Sequence, residues 1–216
     1  LLLHYPYYLL YSSQVVKQAD LVFALYLFGD RFTPEQMRRD FEYYECITVR
    51  DSSLSACIQG VVAAEVGHLD LAYDYLRETA LVDLRDQAAN TADGLHLASL
   101  AGTWLAAVAG FGGMRDHNST LWFSPRLPPQ LTRLCFRLLY RGRRLRVEIG
   151  PDEVTYELSS GEAIEIMHER SPITVAVGEP VVRPWTHPDE LAAVLPPKGR
   201  EAHRWGIGAD DADPPH

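Results

Sequence analysis

Apolar residues recur along this chain at two different periods, and the change of period divides it. Up to about Ala109 the spacing is helical; after Arg115 it alternates every second residue. Tyr5 to Tyr11 is aromatic and broken by proline, and reads as a loop. Ser12 and Ser13 offer a cap for a helix from about Gln14 to Phe28, stopped by Gly29. That helix is apolar nearly all round, so it is expected to be buried. A lysine in it, Lys17, must then pair with Asp20 one turn on or face a cavity. Thr33-Pro34-Glu35-Gln36 starts a second helix, to about Tyr44. Further helices are expected from Ser53 to Gly67, from about Leu69 to Leu84, and from Gly94 to Ala109 with Asp93 as cap. Helices buried all round alternate with amphipathic ones, which fits a barrel of helical hairpins or an open helical array.

Period-two runs follow at Leu134–Tyr140, Leu145–Ile149, Val154–Leu158, Ala163–His168 and Ile173–Val177. They predict a small antiparallel β-sandwich, with Asp116 to Ser119 as the junction. The reading is therefore α+β, with domains at 1–115 and 116–183. The proline-, glycine- and aspartate-rich tail, 184–216, is expected to be poorly ordered.

Composition narrows the function. The net charge of −9 argues against a general nucleic-acid binder or a ligand of anionic membranes. No apolar run is long enough to span a bilayer. Cys46, Cys57 and Cys135 lack CxxC spacing, so they read as reduced, buried thiols of a cytoplasmic protein. The histidines have no ligand spacing, and no metal is expected. Leu1 is not a methionine, as in a piece of a longer protein.

Two polar stretches carry candidate chemistry, Arg50-Asp51-Ser52-Ser53-Leu54-Ser55 and Asn90-Thr91-Ala92-Asp93-Gly94-Leu95-His96. Each leads into an apolar helix, whose first N–H groups and dipole favour an anion. The plainer reading is that Ser52 and Ser53 are helix caps and His96 binds the preceding loop. Trp104 and Trp122 read as core. Glu42 and Glu45 sit too close on one helix for an inverting acid–base pair and are assigned surface and capping roles. Arg141, Arg143, Arg144 and Arg146 read as a solvated hairpin.

Val16-Lys17-Gln18-Ala19-Asp20, Tyr43-Tyr44-Glu45, the two polar stretches, Gly110-Phe111-Gly112-Gly113 and Leu121-Trp122-Phe123-Ser124-Pro125-Arg126-Leu127-Pro128 occur in this order. Together they resemble the C-terminal part of the glycoside hydrolase family 65 disaccharide phosphorylases, which act on maltose, trehalose or kojibiose. The resemblance implies the end of an (α/α)6 catalytic barrel followed by a β-sandwich. It also implies inverting phosphorolysis, in which inorganic phosphate, a co-substrate and not a cofactor, attacks the anomeric carbon and yields β-glucose 1-phosphate. By that resemblance Ser52, Ser53, Gly94 and His96 hold phosphate, and Lys17 and Gln18 hold the glucosyl unit. The general acid of the family lies in a Gly-Pro-Asp-Glu motif upstream. Gly150-Pro151-Asp152-Glu153 matches its letters but falls between two strand runs and reads as a hairpin turn. Where many members have histidine, this chain has Arg50, which either adds charge to a phosphate or pairs with Asp51. The chain alone is expected to be inactive, and the whole protein to form homodimers. A trehalase-like hydrolase and a non-catalytic sugar-binding module are the competing readings; neither the disaccharide nor the oligomeric state is readable from the sequence.

Overall fold

The Thr33 pattern is realised in the computed structural model, which describes residues 5–202 apart from Asp51, Ala88, Glu190 and Leu195. The Thr33 hydroxyl accepts the Gln36 N–H at 3.2 Å, and the Gln36 side chain accepts the Thr33 N–H at 3.0 Å. This reciprocal cap satisfies two donors that a helix start leaves bare. The helix it opens, α3, is one of six α-helices among the described residues: α1 Tyr7–Tyr11, α2 Asp20–Leu27, α3 Pro34–Glu45, α4 Ser55–Val66, α5 Leu69–Leu81 and α6 Leu97–Leu105.

Helix α4 is the hub. Every residue from Ser55 to Ala64 is buried, and α2, α3, α5 and α6 pack around it. Small residues allow that crowding. A Cβ on Gly102 of α6 would stand 2.6 Å from Cys57 Cβ of α4. Gly67, at φ 102°, ends α4 in the left-handed region and lets the chain turn into α5.

Two predicted boundaries move. The first long helix begins at Asp20, not Gln14, because Val16 is drawn into a parallel bridge with Thr48. Val16 N–H donates to the Ile47 carbonyl and Val49 N–H to the Val16 carbonyl, which holds the chain extended there. The Ser12 and Ser13 hydroxyls instead bond the Leu9 carbonyl at the end of α1, a short helix where a loop was expected. Lys17 is thus outside α2, exposed, and unpaired with Asp20 among the described ion pairs, so the buried-pair reading fails. The last helix begins at Leu97, not Gly94. Asp93 closes a 3-10 turn, Thr91–Asp93, and caps nothing.

Helix α6 runs straight into a π-helical turn, Ala106–Phe111. Val108 of that turn sits in the core of the sandwich. The strands are β1 Arg115–His117, β2 Thr120–Phe123, β3 Leu134–Tyr140, β4 Arg143–Ile149, β5 Glu153–Ser160, β6 Ile164–His168, β7 Ser171–Val175 and β8 Val181–Pro184. They form two sheets, β1-β2-β6-β7 and β3-β4-β5-β8. Alternate residues point inward from both, Phe123, Ile166 and Val175 meeting Val147, Ile149 and Tyr156 in one core. All pairings are antiparallel except β2 with β6. The expected junction at Asp116 to Ser119 is the end of β1 and the hairpin turn into β2, with Asn118 at φ 51° and Ser119 at φ 66°. Gly150 to Glu153 is the turn between β4 and β5, closed by Gly150 N–H to the Glu153 carbonyl at 2.8 Å.

The segment after Pro184 packs where disorder was expected. Trp185 is 5% exposed, and its Nε1 donates to the Gly150 carbonyl at 3.0 Å. Ala202 is buried beside Ala56 and Tyr75. Three prolines and scattered polar residues break the pattern between Trp185 and Ala202 and mask these anchors. Residues 203–216 lie outside the described part. Among the described residues no helix is long and apolar enough to cross a membrane.

Candidate functional site

The turn into α4 is shaped by its own serines. Leu54 N–H donates to Ser52 Oγ at 3.3 Å, and Ser55 N–H to the Ser52 carbonyl at 3.2 Å. Ser52 therefore shapes the turn ahead of α4 and does not cap it, the N-cap position being Leu54 with no side-chain cap. Ser52 and Ser53 are half-buried. Ser55 is the residue that sequence reasoning passed over. It is buried, its hydroxyl has no hydrogen-bond partner among the described residues, and it lines a groove of about 580 Å³. Gln18, Leu54, Ala98 and Trp104 line the same groove. The groove thus gathers Gln18, the first turn of α4 and one face of α6 along its length. Lys17, Ser52, Ser53, Gly94 and His96 are not in its wall; the last four lie on the segments leading into those helices. Trp104, 51% exposed, is a wall of the groove and not a core residue.

The segment leading into α6 is fastened from the end of α5. Asp83 Oδ2 accepts the His96 backbone N–H at 2.9 Å, and Asp83 Oδ1 lies 2.6 Å from His96 Nδ1. Asp86 Oδ1 accepts from Thr91 N at 2.9 Å and Thr91 Oγ1 at 2.6 Å. Those bonds hold the Asp86 carboxyl below the usual carboxylate range. Between the two anchors the chain turns at Gly94, φ 137° and ψ 168°, a conformation that a side chain would strain. Neither aspartate carries a motif of its own, and only the three-residue spacing of two acids after α5 hints at them.

Arg50 has other partners among the described residues. Its guanidinium lies 4.7 Å from the Tyr75 ring centre, pairs with Glu78 and donates to the Arg200 carbonyl at 2.7 Å. Pairing with Asp51 falls outside the described residues. Behind Arg50 lies Glu45, which is fully buried and not a surface residue. It accepts from Gln59 Nε2 at 2.8 Å and from the Tyr75 hydroxyl. Burial pushes its carboxyl above the usual range, against the pull of those donors and of Arg50. Glu42 instead meets His68 Nε2 at 3.1 Å. Cys57 is buried but Cys46 is exposed, contrary to expectation. Among the described residues no group of three or more His, Cys, Asp or Glu is gathered as a metal site requires.

Residues 1–105 match the glycosyl hydrolase family 65 central catalytic domain, and residues 114–175 match the family 65 C-terminal domain. An uncharacterised glycosyl hydrolase of Mycobacterium tuberculosis is 51% identical over 187 residues, covering 82% of this chain and 24% of that protein. The α,α-trehalose phosphorylase of Thermoanaerobacter brockii is 42% identical over 179 residues, covering 83% of this chain and 23% of the enzyme. A solved structure of a human-microbiome protein, provisionally named kojibiose phosphorylase, superposes with a TM-score of 0.80 at 24% identity; the match covers 87% of this chain and 28% of that one. The chain spans about a quarter of the length of these relatives. With its helices matching the catalytic domain and its sandwich the C-terminal domain, the chain belongs to glycoside hydrolase family 65.

Proposed function

We propose that this chain is the phosphate-side portion of an inverting α-glucoside phosphorylase. The observation that carries the proposal is the convergence of Gln18, the start of α4 and one face of α6 on one groove, with the four phosphate candidates on the segments leading into α4 and α6. In this reading Ser52, Ser53, Gly94 and His96 hold inorganic phosphate beside the two helix starts, where free N–H groups favour an anion. Gln18 offers a donor and an acceptor to sugar hydroxyls, and Lys17 extends from the neighbouring surface. A glutamic acid from upstream catalytic-domain sequence protonates the leaving oxygen while phosphate attacks the anomeric carbon from the opposite face. The products are β-glucose 1-phosphate and the released sugar. Relatives named trehalose, maltose and kojibiose phosphorylase support the reaction class.

The test is a chimera in which this chain replaces the matching segment of the T. brockii trehalose phosphorylase. With phosphate and α-linked glucose disaccharides, glucose 1-phosphate should form, and His96→Ala should remove at least about 100-fold of kcat/KM for phosphate. Phosphate-independent release of glucose would replace the proposal with the hydrolase reading. Full activity in the His96→Ala chimera would remove His96 from the site.

A further inference from the structure

His96 is a member of the proposed phosphate set whose side chain is held by a residue distant in sequence, Asp83. Asp83 comes from the residues just after α5 and takes it by two bonds at once. Oδ2 accepts the backbone N–H at 2.9 Å, which fixes where the residue sits, and Oδ1 engages Nδ1 at 2.6 Å, which fixes the ring. The clamp is shielded, with the Asp83 side chain 7% and the His96 side chain 18% exposed. A carboxylate oxygen only accepts, so Nδ1 carries the proton. Nε2 has no hydrogen-bond partner among the described residues. It is left as the ring nitrogen without a partner, and the pairing decides which nitrogen that is.

We infer that Asp83 is a positioning residue for phosphate, acting through the ring of His96. The inference rests on the phosphorylase reading above and names the residue that makes His96 fit for it. With Nδ1 committed, Nε2 has two ways to meet phosphate. A neutral ring accepts the proton of a monoprotonated phosphate; a protonated ring donates to an oxyanion. A ring with the opposite tautomer presents Nδ1 on the wrong side and can do neither in the same place. Thr91, tied to Asp86, keeps the intervening loop from pulling His96 off the clamp.

Two measurements test this. In the 216-residue chain labelled with 15N-histidine, the ring assigned by its loss in His96→Ala should be protonated at Nδ1. Asp83→Ala should move it toward the Nε2–H form, which free imidazole side chains favour, while the other histidine signals keep their folded dispersion. In the chimera, Asp83→Ala should raise KM for phosphate by roughly 10- to 100-fold, as loss of a ring-orienting partner does elsewhere. KM for the disaccharide should stay within about twofold, and the Asp83→Ala/His96→Ala double variant should be no worse than His96→Ala alone. Asp83→Asn, which keeps one acceptor, should fall between. A His96 ring whose tautomer ignores Asp83→Ala overturns the hold of Asp83 on His96. A phosphate KM that does not move, or moves only together with the disaccharide KM, overturns the positioning role. A chimera with no phosphorolysis overturns the phosphorylase reading, and the role in phosphate binding falls with it.

Discussion

Glu45 and Gly113 carry the sharpest consequences of single side chains. Burial raises the Glu45 carboxyl above its ordinary value in the folded chain. A carboxyl raised on folding favours the folded state below its unfolded pKa and withdraws that contribution as pH climbs through the raised value. Glu45→Gln removes the titration and keeps the shape. Its melting temperature relative to the parent should therefore rise as pH climbs above the ordinary carboxylate range, and level off once the raised value is passed. A difference that is flat with pH would mean Glu45 does not titrate on folding. Gly113 is a matter of space. At φ 59° an added Cβ would stand 1.9 Å from the Ser124 carbonyl oxygen, a backbone atom that cannot step aside. Gly113→Ala should cost more than ~2 kcal/mol in chemical denaturation. Gly142→Ala, at φ 77° with nothing within 4 Å, should cost only about 1–2 kcal/mol. The Thr33 cap could be read from neighbouring letters, because its partners are three residues apart. Glu45 could not, because its partners Gln59 and Tyr75 stand 14 and 30 residues away.

At the level of elements, strands β3, β4 and β5 were legible because each is long enough to alternate. Strands β1, β2 and β8 have three or four residues, too few to show a period against a polar background. The start of α2 was misread because its apolar run extends back through Val15 and Val16, which serve a β-bridge with Thr48 instead of a helix. The candidate site was half legible. Its hydroxyl and glycine positions stand out as helix-start residues, whereas Asp83 and Asp86 look like ordinary acids at a helix end until the loop folds back on them. The segment after β8 also acts as an element. Trp185 fills the edge of the sandwich and bonds the turn at Gly150. Trp185→Ala should lower the denaturation free energy by about 3–5 kcal/mol. An unchanged unfolding midpoint would show that this segment rests on the sandwich without supporting it.

Across the whole molecule, the helical half leaves one side uncovered. Phe23, Leu27, Leu54, Leu97 and Trp104 are all substantially exposed, several of them around the groove. A patch of that kind on a free chain favours association. Sedimentation of the 216-residue chain should show weight-average mass rising with concentration. A Leu97→Ser/Trp104→Ser variant should shift it toward the monomer, and a monomer at all concentrations would show that the face is tolerated in water. Closure at the opposite end of the chain has a different consequence. The Arg50 guanidinium is roofed by the Arg200 carbonyl, 150 residues further on. At a synthesis rate of about 5–20 residues per second, Arg50 waits roughly 8–30 seconds on the ribosome before that acceptor exists. Throughout that interval the nascent helices hold this cation with one acceptor fewer than the finished fold provides.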